Sequence, residues 1–81
     1  MFTITSKKVI INRNGDVTIK VSCLGEFSDW KEAKFYLQDV REIAREMRVH
    51  RTEHTKHWRK LRTIIVEYGN VINTQYTIKR I

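Results

Sequence analysis

The 81 residues carry 16 Lys and Arg against nine Asp and Glu, a formal net charge of +7, with 41% hydrophobic and 31% charged residues. That length excludes two separate cores, and that balance argues against a disordered chain, leaving one small basic domain over residues 1–81. A single cysteine, Cys23, excludes an intrachain disulfide and a cysteine-rich zinc site, and no stretch approaches the 18 apolar residues that cross a bilayer.

Met1 to Ile11 lack a basic segment leading into a secretory apolar run, so a cytoplasmic location is expected, the host cytoplasm for a virus- or phage-encoded chain. A domain this size buries only about 60% of its unfolded surface. With no disulfide to supplement so thin a margin, a homodimer is an expectation to be tested.

In chain order, Thr3 to Ile11 is rich in β-formers. Val17, Ile19, Val21 and Cys23 then alternate with Thr18, Lys20 and Ser22, the period of a strand with one buried face. Arg13-Asn14-Gly15 between them predicts a three-residue hairpin loop with glycine in the left-handed position. That loop pairs Ile11 with Val17 and Val9 with Ile19, apolar beside apolar, whereas a two-residue Asn14-Gly15 turn sets Asn12 opposite Val17.

The period then changes. Asp29 followed by Glu32 makes a capping box, with Ser28 as the alternative cap. Trp30, Ala33, Leu37, Val40, Ala44 and Met47 recur at spacings of three and four, the stripe of a helix facing a core. Lys34, Arg41, Arg45 and Arg48 fall on one flank of the stripe, and Glu32, Asp39, Glu42 and Glu46 on the other. No Pro or Gly lies between Glu26 and Gly69, so the helix has no forced stop before Lys60. A continuous helix that far would run roughly 46 Å, long for this domain, and a break or bend is expected near residues 49–55, where β-branched and His residues lower helix propensity.

Ile64, Val66 and Tyr68 share one strand face, Ile72, Thr74, Tyr76 and Ile78 the next, with Gly69-Asn70 as the turn. Tyr68 and Tyr76 are accordingly expected in the core. The result is an α+β fold in the order β-β-α-β-β: a four-stranded, mainly antiparallel sheet with one long helix, continuous, bent or broken near residues 49–55, on one face.

Charge is unevenly placed. Residues 1–40 are nearly balanced at +1, while residues 41–81 carry ten basic residues against Glu42, Glu46, Glu53 and Glu67. Arg41, Arg45, Arg48, Arg51, Lys56, Arg59, Lys60 and Arg62, interleaved with His50, His54, His57 and Trp58, form the expected binding segment. Arginine's planar fork suits bidentate phosphate contacts, and a patch of this kind binds polyanions in a salt-dependent way. The first expectation is a nucleic-acid-binding module, DNA or RNA, working through a basic helical segment at residues 45–62, with Trp58 packing or stacking on bases.

The alternative is a protein-interaction module, an inhibitor or adaptor of the phage or plasmid kind, docking its basic helix on an acidic surface with Phe35 or the sheet face as the hydrophobic anchor. A third expectation is a small metal-independent ribonuclease using His54 or His57 with Glu53 and nearby arginines; an enzyme is not the leading reading. His50-Arg51-Thr52-Glu53-His54 spells H-x-x-E-H, similar to the zinc-binding motif of the inverzincin peptidases. The resemblance covers five residues of a chain far too short for such a peptidase, so His50, His54 and His57 are weak metal candidates and no cofactor is expected.

Overall fold

The computed structural model describes residues 1–47 and 50–81. Its elements run β1 (Phe2–Ile11), β2 (Val17–Phe27), α1 (Trp30–Arg45), β3 (His50–His54), β4 (Lys60–Glu67) and β5 (Asn70–Arg80). The five strands form one antiparallel sheet in the order β2-β1-β5-β4-β3. The α+β class, with a helix on one face of a sheet, is as expected; the strand count is five and not four.

The first hairpin has the expected register, Ile11 opposite Val17 and Val9 opposite Ile19. The Asn12 amide donates to the Asp16 carbonyl at 2.8 Å, leaving Arg13-Asn14-Gly15 as the loop, with Gly15 at φ +91°. Toward its far end β2 carries a bulge. Thr5 faces Cys23 and Thr3 faces Glu26, so Ile4 alone opposes Leu24 and Gly25. One extra residue reverses the side-chain alternation. Val17, Ile19, Val21 and Cys23 therefore point away from the helix, whereas Phe27 comes round to the helix side, opposite Phe2, and its ring meets Tyr36 at 5.5 Å.

Asp29 caps α1 by accepting from the Glu32 amide at 2.9 Å, and Ser28 donates to Glu32 through its amide and its hydroxyl. Both residues of the expected cap thus take part. The apolar stripe packs as its spacing requires: Ala33 and Leu37 join Ile4, Leu61 and Ile78 in the core, with Phe2, Trp30, Tyr36, Val40 and Tyr76 packed around them. Phe2 and Trp30 meet edge to face at 5.7 Å. Met47 lies beyond the helix and is exposed, outside the stripe predicted for it.

The long helix is corrected here: it stops before the break or bend expected near residues 49–55. Helix α1 ends at Arg45, and residues 50–54 form the edge strand β3, paired with Leu61 to Ile65. Among the described residues between Ala44 and Leu61 none is buried, and a helix would seat Arg51 against the core. The strand instead alternates Arg51 and Glu53 with His50, Thr52 and His54 and gives the free edge of β4 a hydrogen-bonding partner.

Strands β4 and β5 are joined at Tyr68-Gly69, both left-handed (φ +51° and +81°), while Asn70 pairs with Glu67. The turn therefore falls one residue earlier than expected, and Tyr68, predicted in the core, is 84% exposed at the tip. Tyr76 does pack against the core. The two hairpin tips touch, the Arg13 amide donating to Asn70 Oδ1 at 3.1 Å.

Candidate functional site: the uncovered face of the sheet

A single helix covers one face of the sheet. The other face can be read as rows across the strands. At the hairpin tips Val66, Val71, Ile11 and Val17 stand side by side. The next row is Arg51, Ile64, Asn73, Val9 and Ile19, and the third is Glu53, Arg62, Gln75, Lys7 and Val21. Beyond these lie Lys60, Thr77, Thr5 and Cys23, then Lys79, Thr3 and Glu26. The face grades from aliphatic at the tips to basic and polar at the opposite end.

The aliphatic end is uncovered. Val17 is 58% exposed, Ile19 59% and Val21 73%, with Ile11 and Val66 also exposed. The expectation that the alternating face of β2 is buried is thus overturned. Alternation establishes which side chains share a face, not whether a second layer covers them. Among the described residues the buried hydrophobic core comprises Ile4, Ala33, Leu37, Ala44, Leu61 and Ile78, six residues against eight valines and isoleucines on the uncovered face.

The basic end gathers residues from the predicted binding segment, though not on a helix. Arg51, Lys60 and Arg62 share the uncovered face with Lys79, and Glu53 lies between the arginines, directly opposite Arg62 and 3.0 Å from the Arg51 guanidinium. A concavity of about 310 Å³ opens beside them, lined by Glu53, Lys60, Arg62, Gln75 and Thr77 among others. Lys56 and Arg59, with the exposed His57 between them, extend the positive surface along the β3–β4 connection. This loop is held by hydrogen bonds of Thr55 with Lys60 (3.1 Å each) and of the Trp58 amide with the Thr55 carbonyl (3.0 Å).

The remaining predicted residues are dispersed. Arg41 and Arg45 lie on α1, Arg45 within 3.6 Å of Glu42; Arg48 lies outside the described residues. Helix α1 carries Lys31, Lys34, Arg41 and Arg45 against Glu32, Asp39 and Glu42, close to neutral, so the basic helical segment at residues 45–62 is not what the chain forms. Phe35 is 57% exposed on the outer side of α1, as is Ile43.

Trp58 is half-buried against the core, with its ring stacked on His54 at 3.9 Å and 10° and the Arg41 guanidinium 5.8 Å from its centroid. Its left-handed backbone (φ +58°) aims the ring back under Arg41. The Arg41 Nε is buried without a hydrogen-bond partner among the described residues, and the guanidinium's contact with the Trp58 ring is of the cation–π kind.

The helical premises of the metal and ribonuclease readings fail. His50 and His54 are four residues apart along a strand, about 13 Å, too far to share one metal ion. Among the described residues no group of three His, Cys, Asp or Glu side chains converges as a metal site. Glu53 and His54 leave opposite faces of β3, and the His54 Nδ1 is engaged with the Thr55 carbonyl at 2.9 Å, so base and acid do not converge as they would within two helical turns.

Among the described residues two side chains depart from their ordinary acidity. Burial, then the neighbouring Tyr36, pushes the Tyr76 hydroxyl up, against hydrogen bonds from Thr63 and Thr74 that lower it. The exposed Cys23 thiol is held down by its hydrogen bond with Thr3 and then by the Gly25 backbone.

Comparison with protein families, with curated proteins and with solved structures finds no match to this chain. No described helix is long and apolar enough to cross a membrane.

Proposed function

We propose that the protein is a nucleic-acid-binding module whose contact surface is the basic end of the uncovered sheet face. The observation that carries this reading is the separation of charge. On the β3–β5 half of that face Arg51, Lys60, Arg62 and Lys79 stand against Glu53 alone, and the adjoining loop adds Lys56 and Arg59. Five of the nine acidic residues, Asp29, Glu32, Asp39, Glu42 and Glu46, are carried by α1 and its caps, on the other side of the sheet.

Phosphate oxygens fit this end. Arg62 and Lys60 supply cationic donors at the rim of the concavity, and Gln75 and Thr77 add neutral donors beside them. Arg51 is partly spent on Glu53 and contributes less. Trp58, its ring already stacked on His54, supports the loop that presents Lys56 and Arg59 and is not a free platform for bases. Backbone contacts of this kind bind without reading sequence.

The test is fluorescence anisotropy of nuclease-treated protein with labelled single- and double-stranded oligonucleotides across a salt series. Micromolar or tighter binding is expected, with log K falling against log salt at a slope of about −4. Lys60→Glu together with Arg62→Glu is expected to weaken binding at least tenfold and to flatten the slope. Absence of binding at low salt, or binding indifferent to the double variant, defeats the reading.

A second reading is a protein-interaction module of the inhibitor or adaptor kind. It is favoured by the exposed Phe35 and Ile43 on the outer side of α1, an apolar anchor and not the basic helix expected from sequence. Loss of oligonucleotide binding together with retention of a protein partner that Phe35→Ser releases selects it.

A further inference from the structure

From the aliphatic end of the uncovered face we infer that the protein associates with a second copy of itself, the two sheets packing face to face over their hairpin tips. This inference stands apart from the nucleic-acid reading, which rests on Lys60, Arg62 and Lys79 of β4 and β5, whereas the aliphatic patch centres on β1 and β2 and the hairpin tips.

Three observations carry it. The patch is large: the exposed parts of Ile11, Val17, Ile19, Val21 and Val66 amount to on the order of 500 Å², at the top of what monomers expose. With the half-buried Val9, Ile64 and Val71 and the adjoining Asn73 and Lys7 it approaches the roughly 800 Å² per partner of a standard interface.

The patch is also poor in hydrogen-bonding side chains toward the hairpin tips. In its first two rows only Asn73 and the terminal Arg51 are polar. It offers little that a polar or charged partner would match, and a second aliphatic sheet face is its complement.

The third observation is the thinness of the core. With only the six residues named above as its buried core, two of them alanine, one helix layer leaves the sheet half-covered, and a sheet with one apolar face open is completed by a second layer at about 10 Å. The partner most dependably present when the chain folds is another copy.

Charge sets the arrangement. A two-fold axis lying between the sheets and running across the strands overlaps the tips and sends the two basic ends in opposite directions along the long, 41 Å dimension of each copy. Repulsion between two chains of net charge +7 is then least, and both polyanion surfaces stay open.

Sedimentation equilibrium of the nuclease-treated protein from about 1 to 500 μM in 0.5 M salt tests this, since salt suppresses both polyanion bridging and repulsion. A dimer with a dissociation constant in the micromolar range or below is expected, with a melting temperature that rises with protein concentration. Val21→Lys and, separately, Val17→Lys, both at exposed positions, are expected to raise the dissociation constant at least a hundredfold while leaving the circular dichroism spectrum unchanged. Phe35→Ser on the far side of the molecule leaves the dimer intact. A parent protein that is monomeric at 500 μM, or a dimer that survives both lysine substitutions, overturns the inference.

Discussion

Tyr76 and Tyr68 occupy alternate fates of the same residue type. Tyr76 is packed among Tyr36, Thr63 and Thr74, with its hydroxyl pushed above the ordinary tyrosine value of about 10 by burial. A group whose folded pKa exceeds its unfolded one stabilises the fold fully below the unfolded value, and that contribution is lost as pH rises through the folded value. Denaturant titrations at pH 8 and above pH 10 are therefore expected to show a loss of stability that is smaller in Tyr76→Phe than in the parent. An equal loss in both removes Tyr76 from the account. Tyr68 instead sits at the tip of the second hairpin in a left-handed conformation with little to pack against. Tyr68→Asn, better suited to that turn position, is expected to stabilise by about 0.5 kcal/mol or more in the same titration. A cost instead would mean that the aromatic ring has a partner at the tip.

At the scale of elements, the hairpin register and helix entry were legible because they are local. Asn-Gly chemistry and apolar pairing set Ile11 against Val17, and Asp29, Ser28 and Glu32 cap the helix within one turn. The end of the helix was not legible. His50 to His54 has no apolar periodicity of its own, and it becomes a strand because β4 presents a free edge, a partner that lies beyond the local sequence. The bulge at Leu24-Gly25 was missed for the same reason: which face Phe27 must take depends on where Tyr36 arrives. Helix α1 holds the sheet through few contacts, Leu37 foremost, fully buried between α1 and β1, β4 and β5. Leu37→Ala is expected to cost about 2–5 kcal/mol, comparable to the whole stability of a domain this size, and to broaden or abolish the thermal transition. A loss under 1 kcal/mol would mean that the helix is not what secures the sheet.

For the whole molecule, the uncovered face joins two surfaces that a linear reading keeps apart. The basic residues of the predicted segment divide among helix, loop and sheet, and only the part carried by β3, β4 and their connection gathers with Lys79 at one end of the face. The aliphatic residues from four strands gather at the other. The proposed binding of polyanions and the inferred self-association are expected to be separable: the Lys60/Arg62 double variant is expected to leave the sedimentation profile unchanged, and Val21→Lys to leave oligonucleotide binding by the single copy measurable. By itself the sequence determined the α+β class, the first hairpin, the helix start and the positive net charge, because these follow from spacing and composition over a few residues. Only the tertiary structure decided that a fifth strand forms, that Tyr68 is exposed and that the alternating valines and isoleucines of β2 face outward. A strand's period records which side chains stand together, while what covers them is settled by how many layers the chain has left to place, and this chain has one helix for two faces.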